Sequence, residues 1–282
     1  MNKLRSFVGD LRLEHTLFAL PFAYTGALLA QRGWPTAHNL VWITVAVIGG
    51  RTAAMAANRL LDAKMDAKNP RTARRAVASG ALSPATMVWA AGAGIVVLAL
   101  AALALNPICF ALLPIAALAL LVYPLVKRWT WAVHFVLGGV DGLAPLGAWL
   151  AITGRFEAAA VGLFAATALW VAGFDILYAL MDRDFDIGAG VRSVPVRFGQ
   201  RSSLWSALGL HLVMIALLAW VGLAVGAHGP YWAGIAAALL LWLYEAVLVR
   251  RQTDMLALNA AVFRANMGFS VFFMATTAAS WR

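Results

Sequence analysis

Apolar residues run along this chain in long blocks, and the short stretches between them carry most of the charge. A helix needs about 20 mostly apolar residues to cross the core of a bilayer. Nine blocks approach that length, at about 16–32, 40–58, 84–105, 108–126, 133–153, 158–180, 204–226, 231–249 and 261–280. Pro84, Pro107, Gly154 and the Gly229-Pro230 pair punctuate them as residues that stop or restart a helix. The third and fourth blocks are divided by Asn106-Pro107 alone. The pattern predicts an all-α membrane protein, one polytopic domain over residues 1–282.

Composition narrows the class. The chain is 63% hydrophobic and 12% charged, where a soluble domain carries about 25% charged residues. So few charges do not cover the surface of a water-soluble fold of this size. That excludes a soluble enzyme, a disordered chain and a nucleic-acid-binding module. The net charge of +10 then reflects topology and anionic lipid rather than nucleic acid. The one cysteine, Cys109, excludes an internal disulfide and a cysteine-based zinc cluster. The opening MNKLRSFVGD lacks the pattern of a cleavable signal peptide. When the blocks are threaded alternately, 18 of the 22 Lys and Arg residues fall on the N-terminal side. Arg32, Arg155 and Arg282 fall on the other, and Arg51 lies within a span. The positive-inside rule therefore places the N-terminus in the cytoplasm and the C-terminus outside a bacterial-type inner membrane. Trp129, Trp131, Trp232 and Trp281 lie near span ends, where an aromatic belt belongs.

The acidic residues carry the chemistry. There are 12, and six of them (Asp62, Asp66, Asp175, Asp182, Asp184 and Asp186) fall in two short segments on the cytoplasmic side. In NRLLDAKMDAKNPRTARR, Asn58, Asp62 and Asp66 recur at i, i+4 and i+8, one face of a helix. In DILYALMDRDFD, Asp175, Asp182 and Asp186 recur at i, i+7 and i+11, again on one face and shared with Tyr178, while Asp184 points away. Two facing sets of oxygen ligands suit hard divalent cations. Mg²⁺ takes few protein carboxylates and completes its shell with water or substrate phosphate. Two such ions around a diphosphate fit this arrangement. Arg71, Arg74 and Arg75 follow the first cluster, and Arg183, Arg192 and Arg197 flank the second; arginine engages phosphate oxygens directly. Arg51 lies seven residues before Asn58, hence on the same face but deeper. An ionisable group inside a span marks a functional position, here a receptor for the carboxylate of a second substrate. Asp141, also mid-span, either faces the cavity near Arg51 or His134 or is a neutral, hydrogen-bonded structural acid, the second being the preferred expectation.

NRLLDAKMDAKNPRTARRAVASG and DILYALMDRDFDIGAGVRSVPVRFG resemble the two aspartate-rich motifs of the UbiA superfamily of membrane prenyltransferases. The resemblance extends through YPLVKRWT (123–130) and HFVLGGVDGLAPLGAW (134–149), from HTLFALPFAYTGALLA (15–30) to near Asn266. It implies nine transmembrane helices around a central cavity, capped by two Asp-rich cytoplasmic motif loops. It implies Mg²⁺-dependent transfer of a polyprenyl chain from an allylic diphosphate to a carboxylated aromatic acceptor. Within the superfamily the motifs resemble the 4-hydroxybenzoate polyprenyltransferases of quinone biosynthesis. That group includes enzymes of the futalosine route to menaquinone, whose acceptor is 1,4-dihydroxy-6-naphthoate. Carried over by motif, Asn58, Asp62, Asp66, Asp175, Asp182 and Asp186 hold metal. Asp62, Asp66, Asp182, Asp186 and Tyr178 are catalytic; Arg71, Arg75 and Lys127, with Arg128 beside them, take the diphosphate; Arg51 takes the acceptor. One departure is Arg59, where many relatives have Asp directly after the motif Asn. The reading from another class is a divalent-cation transporter, which requires acidic residues lining a path through the midplane.

Overall fold

A computed structural model of the protein describes residues 16–251 and 254–281. Lys3, Arg5, Arg12 and His15 lie outside the described residues, as does Arg282. The described residues form helices α1 (Thr16–Gln31), α2 (Ala37–Asp66), α3 (Pro84–Leu105) and α4 (Pro107–Val122). A 3₁₀ segment (Tyr123–Arg128) leads to α5 (Val133–Thr153) and α6 (Ala158–Ala179). A short 3₁₀ turn (Leu180–Asp182) leads to α7 (Arg183–Ala189), α8 (Val194–Val225), α9 (Gly229–Arg251) and α10 (Met255–Ala279). Eight helical stretches among the described residues are long and apolar enough to span a bilayer. The first expected span is α1, with 16 described residues.

The punctuation residues act as the sequence indicates. Ser83 caps α3 through its side chain, with Pro84 at the first helical position. Asn106 is fully extended (φ −167°, ψ 167°) and divides α3 from α4. Its Oδ1 accepts from the Cys109 N–H, and its Nδ2 donates to the Leu150 and Ala151 carbonyls of α5. Gly154 ends α5 in the left-handed conformation (φ 65°).

Two boundaries move. α2 continues eight residues past the expected end at 58, so the first aspartate cluster rides on its last turns. α8 begins ten residues before 204, across a break at Gly199 (φ 79°, ψ 173°). Both aspartate-rich motifs are thus carried on helical ends, as their helical spacing indicates.

Close backbone approach fixes the bundle. A Cβ on Gly94 of α3 would meet the Ala53 backbone of α2 at 2.6 Å, and one on Gly138 of α5 would meet the Ala168 carbonyl of α6 at 2.1 Å. In lipid, where apolar surface gives little drive for association, such small-residue contacts let helices pack. The largest buried cluster joins α1, α5, α6, α8, α9 and α10 around Phe22, Trp149, Trp170, Tyr231 and Phe273. The ends of α2 and α6, the 3₁₀ segment between them and α7 line a cavity at one end of the bundle.

Candidate active site

The last turns of α2 present Asn58, Asp62 and Asp66 in line. Both aspartates are buried. The Asn58 Nδ2 donates to Asp62 Oδ2 at 3.1 Å, and Lys127, from the 3₁₀ segment, reaches the same oxygen at 2.5 Å. Asp62 Oδ1 is buried without a hydrogen-bond partner. The chain returns after α2 through a turn held by the Thr72 hydroxyl on the Asp66 carbonyl. That turn brings Arg75 onto both Asp66 oxygens at 2.7 and 2.8 Å.

The second set descends from the end of α6. Arg71 donates from Nε to Asp182 at 2.8 Å and from Nη2 to the other oxygen of the same carboxylate. Its Nη1 donates to the Tyr178 hydroxyl at 2.8 Å, with the guanidinium 5.0 Å from the centre of that ring. Burial works against the charge on Arg71, but the hydrogen bonds to Asp182 and Tyr178 outweigh it and push its pKa further up, so it stays cationic. Asn69 adds a bond to Asp182 at 3.0 Å. Residues following the first motif therefore clasp the second directly.

His134 of α5 contacts Asp175 Oδ2 through Nδ1 at 2.7 Å, while its Nε2 faces the Val194 N–H at 3.3 Å. Nε2 must accept there, so Nδ1 carries the proton and donates to Asp175. The Asp186 carboxylate makes no hydrogen bond among the described residues and lines the cavity. Asp184 is 95% exposed and points away, as its spacing indicates.

These side chains surround a cavity of about 310 Å³, at the lower end of the range for ligand pockets. Its floor is formed by Arg51 and Asp141, joined at 3.3 Å. The same two residues border a second, apolar cavity of about 200 Å³ between α2, α3, α4 and α5.

As the side chains stand, no three His, Cys, Asp or Glu residues among those described are grouped to hold a metal ion. Three of the cluster's aspartates sit on cations instead. What remains unclaimed is Asp62 Oδ1, Asp175 Oδ1 and the Asp186 carboxylate. This is an all-oxygen set with one buried orphan, which fits a hard divalent cation.

The model of the UbiA prenyltransferase family matches residues 19–270. The chain belongs to this family. Its UbiA relatives include a 4-hydroxybenzoate octaprenyltransferase of Methylobacillus flagellatus, 30% identical over 96% of this chain and 92% of that one. Another, of Alkalilimnicola ehrlichii, is 34% identical over 80% and 77%. The apo structure of a UbiA homologue from Aeropyrum pernix superposes with a TM-score of 0.83 at 32% identity, covering 94% of this chain and 97% of that one. A UbiA homologue from Archaeoglobus fulgidus, solved with GPP and Mg²⁺, shares the fold at 18% identity, with a TM-score of 0.70 over 97% and 99%. The protein is thus a prenyltransferase of the UbiA fold.

The cavity brings together Arg51, Asn58, Asp62, Asp66, Arg71, Arg75, Lys127, Asp175, Tyr178, Asp182 and Asp186, all named from the sequence. Arg128 stands apart: its Nη2 donates to the Leu61 carbonyl at 2.8 Å on the exposed side. Arg192 likewise ties down backbone, donating to the Trp129 carbonyl at 2.6 Å. Asp141 takes the cavity-facing alternative and lines the cavity as the partner of Arg51. His134 and Asn69 carry no role in the sequence reading, yet each holds a motif aspartate. One signal was available for His134: it lies seven residues before Asp141 on α5, the spacing that links Arg51 with Asn58.

Proposed function

We propose that this UbiA prenyltransferase moves a polyprenyl chain from an allylic diphosphate to a carboxylated aromatic acceptor such as 4-hydroxybenzoate, in quinone biosynthesis at a bacterial inner membrane. The observation that carries this reading is the pairing inside the cavity. Each of Asp62, Asp66 and Asp182 rests on a cation, Lys127, Arg75 or Arg71. With a divalent metal and a diphosphate bound together, the three aspartates would hold the metal and the three cations would take phosphate oxygens. The relatives named as 4-hydroxybenzoate octaprenyltransferases and the GPP and Mg²⁺ of the A. fulgidus homologue support the same chemistry.

Asp62 and Asp66 on one side and Asp182 and Asp186 on the other, with Asn58 and Asp175 beside them, would hold Mg²⁺, in our reading as two ions. When bound, the metal neutralises the leaving diphosphate. Arg71, Arg75 and Lys127, released from their carboxylates, engage the diphosphate oxygens and stabilise the charge that builds as the allylic C–O bond breaks. The Tyr178 ring, already under a guanidinium, offers its face to the allylic cation. A ring carbon ortho to the acceptor hydroxyl forms the new C–C bond, and that carbon's proton passes to water or a cavity carboxylate. Arg51 receives the acceptor at the cavity floor, and the apolar cavity beyond takes part of the tail.

The transporter reading finds no support in this placement. The motif acids meet at one end of the bundle, and Asp141, at midspan, is joined to Arg51. The test is release of inorganic diphosphate from geranyl diphosphate by the purified protein with acceptor present. Release that stops on chelation and returns with Mg²⁺ is expected; chelation without effect overturns the reading.

A further inference from the structure

Arg51 and Asp141 border both cavities, and their contact leaves each of them half used. One approach joins them, Arg51 Nη1 to Asp141 Oδ1 at 3.3 Å. A well-made guanidinium–carboxylate pair has two parallel bonds at about 2.7–2.9 Å. Here Arg51 Nε is buried with no hydrogen-bond partner, and Asp141 Oδ2 accepts no bond among the described residues. An incomplete charge pair within a span is costly and marks a position kept for a ligand.

The chemistry of that ligand follows from the two unused groups. They are one donor and one acceptor, side by side, with no net charge between them. A carboxylate alone answers only the Arg51 donor and leaves the free Asp141 oxygen without a hydrogen to accept. The complement is a ring that gives an oxygen to Arg51 and a hydroxyl hydrogen to Asp141. That hydroxyl is not the one that activates the alkylated carbon. Arg51 lies seven residues below Asn58, about 10 Å along the helix axis, so the activating hydroxyl stands nearer the aspartates and a second one reaches the floor.

We propose that Asp141 is a specificity-determining residue: it accepts a hydrogen bond from a second ring hydroxyl, and selects dihydroxylated aromatic acids over monohydroxylated ones. This rests on the reading that an aromatic acid is the acceptor and that Arg51 receives it. Sites built to hydrogen-bond a hydroxyl reject analogues lacking it, because their polar groups are left unpaired.

The test uses the full-length protein in lipid nanodiscs with geranyl diphosphate and Mg²⁺. The matched acceptors are 4-hydroxybenzoate and 3,4-dihydroxybenzoate, which differ by one hydroxyl. The wild type should prefer the dihydroxy acid in kcat/KM by about tenfold or more, chiefly through KM. In Asp141→Leu that ratio should fall to about one. In Asp141→Asn, which keeps an oxygen acceptor without the charge, part of the preference should remain. Binding of geranyl thiolodiphosphate by each variant checks the fold; if Asp141→Leu fails it, Asp141→Asn decides, by a ratio below that of the wild type. Alkylation of both acids at equal kcat/KM by the wild type overturns the inference and leaves the proposed function standing. A ratio unchanged in the folded variants also overturns it. Alkylation of neither acid, nor of 1,4-dihydroxy-6-naphthoate offered as a third acceptor, overturns both.

Discussion

Metal and diphosphate should bind this cavity far better together than apart. Alone, Mg²⁺ must draw Asp62, Asp66 and Asp182 away from Lys127, Arg75 and Arg71, and strand those cations in a half-buried site. Diphosphate alone strands the aspartates in the same way. Exposed ion pairs are worth about 0–1 kcal/mol, and breaking a buried one by loss of a partner costs about 3–5 kcal/mol. The aspartates here keep 3%, 8% and 15% exposure and the cations 19–26%. A value of about 1 kcal/mol per pair is therefore conservative. Three pairs broken once instead of twice give a coupling of about 3 kcal/mol, or roughly 100-fold in affinity. Attraction between metal and phosphate adds to this. Titration calorimetry with Mg²⁺, with and without unreactive geranyl thiolodiphosphate, measures it, and the reciprocal titration must give the same factor. Lys127→Met removes one pair and should reduce the coupling by about fivefold, the equivalent of about 1 kcal/mol. A coupling below about threefold, or one that Lys127→Met leaves unchanged, refutes the exchange of partners.

Three further outcomes follow from the same geometry. Asp62→Asn and Asp182→Asn should each lower turnover by about 100-fold or more, since each weakens the set that holds charge on the leaving group; near-normal rates in both would sink the metal reading. Gly138→Leu should cost about 2 kcal/mol or more and lower the thermal midpoint, because a Cβ added there would meet the Ala168 carbonyl at 2.1 Å; an unchanged midpoint contradicts the close approach of α5 and α6. Gly147→Phe meets no atom within 4 Å of its Cβ and fills the apolar cavity. It should leave the fold intact and reduce kcat/KM for long prenyl diphosphates more than for geranyl diphosphate, whereas equal losses place the tail elsewhere.

The spans and the two motifs are legible along the chain for one reason. Hydropathy and helical spacing are local, and in lipid every backbone polar group must be satisfied within its own helix. The boundaries from Pro84 to Leu105 and from Val133 to Thr153 coincide with the apolar blocks. Spacing shows which residues share a face but not which helix that face meets. The links from His134 to Asp175, Asn69 to Asp182 and Arg51 to Asp141 join residues 41, 113 and 90 positions apart. The same limit hides the buried network below the site. There Glu245 receives His211 at 2.6 Å and Asn266 at 2.6 Å, and Asn266 accepts from the Trp170 ring at 2.6 Å. Gly138 and Gly147 show the ambiguity in one residue type. Glycine suits either close packing or open space; in the fold Gly138 packs against α6 and Gly147 lines a cavity.

The central claim is the transfer itself. Membranes carrying the protein would be given one labelled polyprenyl diphosphate, with and without Mg²⁺, and 4-hydroxybenzoate or 1,4-dihydroxy-6-naphthoate in separate reactions. Mass spectrometry of the lipid extract should show an acceptor heavier by one prenyl chain, formed only with Mg²⁺. The naphthoate, which carries two hydroxyls, should be alkylated faster. Product formed equally in membranes carrying Asp62→Asn together with Asp182→Asn, or no prenylated acid at all, would contradict it.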